Sequence, residues 1–121
     1  MATGALVVKV TVGKNDAERC NMAFTVAATA ATSGVPVSVW LTAEASWLGM
    51  PGRADDIVVP QAAPLADLLA AVLDGGTVTV CTQCAARRGI EEHQLIPGVR
   101  IAGAPTFLAE VMADGAKALV Y

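Results

Sequence analysis

The chain has 121 residues, the length of one compact domain whose core needs no disulfide or metal to hold it. Its net charge of −3 includes no basic block and only 4% of its residues are aromatic, which excludes a typical nucleic-acid-binding surface. Apolar residues make up 55% and charged residues 16%, so part of the apolar surplus is expected at a subunit interface. We therefore expect a single domain over residues 1–121.

The longest uncharged stretch, from Cys20 to Ala43, is long enough to cross a bilayer. Ser33-Gly34-Val35-Pro36 divides it into an alanine-rich helical half and a β-branched half, each too short to span. No basic residues precede the apolar run at the N-terminus, which is not typical of a signal peptide. These features predict no membrane span, a cytoplasmic location and reduced cysteines.

The β-branched run at residues 5–12 predicts a strand that is buried on both faces, as in a parallel sheet covered by helices. A helix over about residues 16–32 follows. Asn15 is predicted to cap this helix, and Glu18 is predicted to reach back to complete a capping box. The abundance of alanine on its apolar stripe predicts close packing on the sheet.

Strands and helices continue to alternate along the rest of the chain. The predicted strands are residues 37–41, 77–80, 99–102 and 118–121, and the predicted helices are residues 64–73, 82–88 and 104–113. A long loop over residues 42–63 is interpreted as a possible lid, with a short strand at residues 57–59. This order predicts an α/β fold, a three-layer α/β/α sandwich with about five mostly parallel strands.

Cys81 comes directly after a predicted strand and before a predicted short helix. Ligands of open parallel sheets bind beyond the carboxyl ends of the strands, which is where this residue is placed. A thiol at a helix start faces unpaired N–H groups and the positive end of the helix dipole, and both favour the thiolate. The position predicts a reactive thiol, although a cysteine that only packs fits the spacing almost as well.

Cys84 lies one helical turn after Cys81, so that the two sulfurs can approach each other. Such a CxxC pair can resolve a persulfide or close a disulfide, as in dithiol redox proteins. A zinc site is disfavoured because the three cysteines and the one histidine are irregularly spaced, and Cys20 belongs to the apolar stripe of the first helix. We expect no metal and no cofactor, since P-loop and GxGxxG motifs are absent.

Further candidates for support of the thiols are Arg87, Arg88, Gly13, Glu44, Trp47 and His93. The two arginines can add positive potential, and the histidine can supply a proton. The glutamate and the tryptophan lie in the long loop and can close over the site. The glycine turn ends the first strand at the same edge of the sheet, where its N–H groups can hold an anion. Capping, apolar packing and solvent exposure are simpler explanations for these residues.

The run Cys81-Thr82-Gln83-Cys84-Ala85-Ala86-Arg87-Arg88-Gly89-Ile90 is similar to the active-cysteine segment of the DsrE/DsrF-like family, which includes sulfur-relay subunits of tRNA thiolation and sulfur oxidation. The segments at residues 34–41 and 99–103 resemble the family's second and fourth strands. The resemblance covers nearly the whole chain and puts Cys81 at the persulfide-carrying position. Cys84 departs from the small residues of the relay subunits.

The resemblance implies a sulfurtransferase that assembles into a homotrimer or homohexamer and moves sulfane sulfur from a donor protein to an acceptor protein. Cys81 would carry the persulfide. Two alternatives stay open, a dithiol redox or redox-sensing protein that uses the CxxC pair, and a non-catalytic oligomeric binding module whose cysteines only pack.

Overall fold

The computed structural model describes residues 4–121, which form five strands and four α-helices. The strands are β1 (Leu6–Val10), β2 (Val37–Leu41), β3 (Thr77–Cys81), β4 (Val99–Ala102) and β5 (Lys117–Val120). The helices are α1 (Ala17–Thr32), α2 (Leu65–Gly75), α3 (Thr82–Arg87) and α4 (Ala104–Val111). Within residues 4–121, none of the helices combines the length and the apolarity that a membrane crossing requires.

The five strands form one sheet in the order β4-β3-β2-β1-β5, and every neighbouring pair is parallel. The α/β prediction with five strands is confirmed, and the sheet is entirely rather than mostly parallel. In this order β3 lies between β2 and β4, with Leu41 beside Val80 and Cys81 beside Ala102. The chain segments that leave β2 and β3 therefore meet at one edge of the sheet.

The two faces of the sheet are covered differently. Val8, Val39 and Val78 are fully buried on the face that packs against α1 and α2. On the opposite face, Trp40 is buried and its ring meets Phe107 of α4 edge to face, with centroids 5.3 Å apart. Because successive side chains of a strand point to opposite faces, this alternation produces the three layers that the sequence predicts.

The start of α1 differs from the predicted capping box. Asp16 is the N-cap, and its carboxylate accepts a hydrogen bond from the backbone N–H of Arg19 at 3.3 Å. Asn15 instead accepts a hydrogen bond from the N–H of Gly13 at 2.9 Å. The prediction that Asn15 and Glu18 form the box was wrong by one position, because Asn15 is used to close the preceding turn.

The long connection after β2 contains two 3₁₀ helices, Ala43–Gly49 and Arg53–Asp56, and residues 57–59 form no strand. We name Ala43–Gly49 the covering segment. Ala45 and Leu48 of this segment are buried, and a Cβ on Gly49 would lie 2.7 Å from the side chain of Val80. The apolar residues of the segment are therefore packed into the core, and in this structure the segment does not form the predicted lid.

Candidate functional site

The two predicted thiols lie together at the carboxyl edge of the sheet. Cys81 is the last residue of β3 and is half-buried, whereas Cys84 is in the first turn of α3 and is only 9% exposed. The side chain of Cys81 lies close enough to Cys84 to lower the pKa of its thiol. Residue 81 is thus the thiol that another molecule can reach, and residue 84 lies behind it.

The covering segment supplies a hydrogen-bond donor to the buried thiol. The backbone N–H of Ala43 donates to the Sγ of Cys84 at 3.3 Å. Ala43 has a φ of 48°, in the left-handed region that a residue with a Cβ rarely adopts. Next to it, the N–H and the Oγ1 of Thr42 both donate to the Val10 carbonyl at 2.9 Å, which anchors the turn to β1. The strained residue is held in place by its neighbours and aims an N–H at sulfur.

Arg88 joins the covering segment to α3. Its guanidinium donates to the backbone carbonyl of Cys84 at 3.2 Å and to the Glu44 carboxylate at 2.9 and 3.2 Å. The arginine side chain is 19% exposed and that of Glu44 is 47% exposed. This geometry fixes a positive charge one helical turn from the buried thiol, while Arg87 is exposed.

These contacts favour the thiolate of Cys84. Burial raises the pKa of this thiol, but the Ala43 N–H, the Cys81 side chain and the charges of Arg88 and Arg87 together bring it below its ordinary value of 9.0. The sequence placed the thiolate-favouring environment around Cys81. Cys81 is the N-cap of α3, at the helix start that the sequence predicts, and its side chain makes no capping hydrogen bond.

Cys20 is fully buried on α1 and has the opposite environment. Burial, together with the charge of Asp16, raises the pKa of its thiol to about 12. The predicted packing role of this cysteine is confirmed. Among residues 4–121, no three side chains of His, Cys, Asp or Glu come together as a metal site would require.

Two other candidates, Gly13 and Trp47, have packing roles in the structure. Gly13 packs on the covering segment so closely that a Cβ would lie 2.7 Å from the Glu44 carbonyl oxygen, and its N–H is already donated to Asn15. Trp47 packs on the core and stacks with the guanidinium of Arg53 at 4.5 Å. The Gly13 N–H is therefore not available to an anion, and the lack of a side chain at this position allows the close approach to the covering segment. An anion site formed by the rest of this turn stays a prediction.

His93 lies in a short 3₁₀ turn, Glu92–Gln94, and its side chain is 74% exposed. Its Nδ1 lies 3.3 Å from a carboxylate oxygen of Glu91, which is the partner that the structure gives it. A role as proton donor to the thiols stays a prediction.

Sequence reasoning missed Ala43, the residue whose backbone completes the thiol site. A backbone N–H is carried by every residue except proline, so its use at one position has no signature in the side chains. The one available signal was that the segment after β2 must run along the same sheet edge as the segment after β3.

The region that matches a known family is nearly the same as the region that forms the fold. A family model described as the DsrE/DsrF-like family matches residues 5–121. An uncharacterized protein of Methanocaldococcus jannaschii, MJ0760, is 34% identical over 99 residues, a match that covers 81% of this chain and 36% of the relative. The chain thus spans about a third of that relative's length.

Two solved structures share the fold. The ychN protein from E. coli superimposes with a TM-score of 0.80 at 16% identity, over 98% of this chain and 100% of that chain. MTH1491 from Methanobacterium thermoautotrophicum, a protein of unknown function, gives a TM-score of 0.74 at 10% identity, over 98% of this chain and 99% of that chain. At these identities the likeness concerns the fold alone.

Proposed function

The chain belongs to the DsrE/DsrF-like family, and on that premise we propose that it is a sulfur-relay protein that carries sulfane sulfur as a persulfide on Cys81. The observation that carries the proposal is the pairing of a half-buried thiol at the end of β3 with a buried neighbour, Cys84, whose thiolate is favoured. A persulfide must be presented to a partner's thiol, and Cys81 is the more accessible of the two.

The loading step uses both sulfurs. Cys81 attacks the outer sulfur of a donor persulfide, the donor's sulfur–sulfur bond breaks, and a new sulfur–sulfur bond forms on Cys81. The Cys84 thiolate accepts the proton of the Cys81 thiol as it attacks, and passes that proton to the departing donor thiolate. Cys84 is therefore a base beside the carrier, one helical turn from it at the start of α3.

The test is intact-mass analysis of the reduced protein after anaerobic incubation with a low-molecular-weight persulfide. A one-sulfur mass increase is expected that is absent in Cys81→Ser and present, though formed more slowly, in Cys84→Ser. Cys20→Ser is the matched control and should load like the wild type. Absence of an adduct on Cys81 in folded Cys84→Ser protein would contradict the proposal.

Assembly with copies of the same chain is part of the proposal. Leu108 of α4 and Met112, which follows this helix, are 60% and 73% exposed, and Leu119 and Val120 of β5 are 39% and 66% exposed. A second copy of the chain would remove such exposed apolar side chains from water. A trimer or hexamer is expected in sedimentation analysis; Met112→Glu should dissociate it, whereas Val58→Glu, at an exposed apolar residue of the long connection, should not.

A dithiol redox protein is the second candidate, favoured by the contact between Cys81 and Cys84. It predicts that mild oxidants close a disulfide between these two residues and that transfer of sulfur is not observed. Either function needs reduced thiols, which fits a reducing compartment such as the cytoplasm.

A further inference from the structure

We propose that the protein also cleaves the persulfide that it carries: Cys84 attacks the inner sulfur of the Cys81 persulfide, closes a Cys81–Cys84 disulfide and releases hydrosulfide. This inference rests on the proposed function, because it begins from the loaded Cys81. It adds an activity, hydrosulfide release, and it assigns to Cys84 the role of the resolving thiol.

The separation of the two thiols suits the bond that must form. They are one helical turn apart at the start of α3, and side chains at this spacing have Cβ atoms about 5–6 Å apart, close enough for a small rotation to bring them to disulfide distance. Cys81 is the N-cap of α3 and Cys84 is in its first turn, so both side chains are at the start of the same helix. When Cys81 carries an extra sulfur, the inner sulfur is still the Sγ of Cys81, at the same spacing from Cys84 along α3.

The surroundings of Cys84 suit an intramolecular nucleophile. Its Sγ accepts the Ala43 N–H at 3.3 Å, and its backbone carbonyl accepts a hydrogen bond from Arg88 at 3.2 Å. At 9% exposure it is poorly placed to meet a thiol of another protein. An attack within the molecule, on the neighbouring Cys81, is therefore favoured over an attack on another protein.

The step balances without a further reactant. The Cys84 thiolate forms a bond to the inner sulfur, the bond between the inner and outer sulfurs breaks, and the outer sulfur leaves with the bonding pair as hydrosulfide. The two cysteines are oxidised to a disulfide, and the sulfane sulfur is reduced to sulfide. Reduction of the disulfide by an external dithiol, two electrons at a time, returns the protein to its starting state.

The consequence is a competition on loaded protein. An acceptor thiol that attacks the outer sulfur takes the persulfide sulfur, whereas in its absence the attack by Cys84 ends the loaded state. A carrier of this kind does not keep a reactive sulfur indefinitely.

The experiment loads reduced protein with one equivalent of glutathione persulfide without oxygen, removes the small molecules, and follows two products over time. Hydrosulfide is trapped with a bimane reagent, and the protein is weighed by mass spectrometry. Wild type is expected to lose the one-sulfur adduct and to gain a disulfide, two hydrogens lighter, in amounts equal to the hydrosulfide released. Cys84→Ser is expected to keep its adduct and to release hydrosulfide at least about tenfold more slowly.

Cys20→Ser, which removes the thiol of the core, is the matched control and should behave as the wild type. If the wild-type adduct lasts as long as the Cys84→Ser adduct, or moves to Cys84 and stays there, the inference is overturned and the relay function stands. Hydrosulfide without disulfide would also overturn it. If Cys81 in folded Cys84→Ser takes up no sulfur, the relay function itself fails.

Cys84→Ala is the second variant, used if serine at this buried position prevents folding, and a cooperative thermal transition is the criterion for folded protein. Should neither variant fold, the stoichiometry of hydrosulfide to disulfide in the wild type decides the question, since one disulfide for each hydrosulfide is required by the mechanism.

Discussion

The backbone N–H of Ala43 and the Sγ of Cys84 lie 3.3 Å apart, and this hydrogen bond joins the ends of two neighbouring strands. Ala43 follows β2 and Cys84 follows β3, so the bond exists only because these strands are adjacent and parallel. A fixed N–H dipole at this distance stabilises a thiolate without reorganisation of solvent. The environment of the Cys84 thiol is thus a property of the sheet order as much as of the cysteines.

Removal of Arg88's charge should raise the pKa of Cys84. The test compares Arg88→Gln with Arg87→Gln in a Cys20→Ser/Cys81→Ser background, where the serine at position 81 keeps a hydroxyl donor. Both arginines stabilise the thiolate, and Arg88 has the larger influence because it is held on the Cys84 carbonyl. The titration of the ultraviolet thiolate absorbance should move to higher pH in both variants, and further for Arg88→Gln. Equal shifts would show that the contact with the Cys84 carbonyl is unimportant.

Ala43→Gly should stabilise the fold and leave the Cys84 titration unchanged. Glycine removes the left-handed strain at a φ of 48° but gains chain entropy when unfolded, so the expected net increase in the free energy of unfolding is about 0.5 kcal/mol. The N–H that reaches the thiol is retained. Gln61→Gly is the matched control, with a φ of 60° at an exposed position of the long connection, and should give a similar gain. Urea denaturation measures both; a loss of stability at residue 43 alone would mean that its Cβ contributes packing.

Cys20 should resist alkylation in the folded protein at neutral pH, while Cys81 reacts. Its thiol is fully buried and has a pKa of about 12, so almost none of it is thiolate. Iodoacetamide labelling followed by peptide mass analysis measures each site separately. The rate at Cys20 should rise to that of a free thiol when the protein is unfolded in urea. Rapid labelling of Cys20 in native protein would show that the α1 face opens.

Protonation of Glu110 should make the folded state less stable at acidic pH. Burial raises the pKa of this carboxyl, but hydrogen bonds from Ser38, Trp40 and Arg100 and the arginine's charge bring it below its ordinary value of 4.5. The ionised carboxylate therefore stabilises the folded state above about pH 4.5, and this contribution is lost as the pH falls through the lower folded value.

Glu110→Gln is expected to lower the free energy of unfolding near neutral pH by about 1–2 kcal/mol, because Arg100 loses its charged partner. It should also flatten the dependence on pH below pH 4.5. Glu92→Gln, at an exposed carboxylate, is the control and should retain the wild-type dependence. Thermal unfolding at several pH values measures both, and a variant with an unchanged acid slope would exclude Glu110 as the cause.

Much of the fold was predictable because it depends on local patterns. The β-branched run at residues 37–41 and the alanine-rich segment before it predicted β2 and α1, and the structure has Val37–Leu41 and Ala17–Thr32. The connection after β2 was not predictable in this way, because the apolar residues at 57–59 fit a strand or a packed coil equally well. Ile57 is 5% exposed and Val58 is 78% exposed, so burial against the core, which is a tertiary property, decided between them.

The sequence by itself determined the alternation of strands and helices and the spacing of Cys81 and Cys84 at a βα turn, because both depend on residues close in the chain. Only the tertiary structure brought together the groups that stabilise a thiolate at Cys84. The Ala43 N–H comes from the end of another strand and belongs to the backbone, and Arg88 is directed by its pairing with Glu44. Contacts between segments some forty residues apart in the chain depend on the sheet order and the course of the loops. Local sequence patterns predict neither of these.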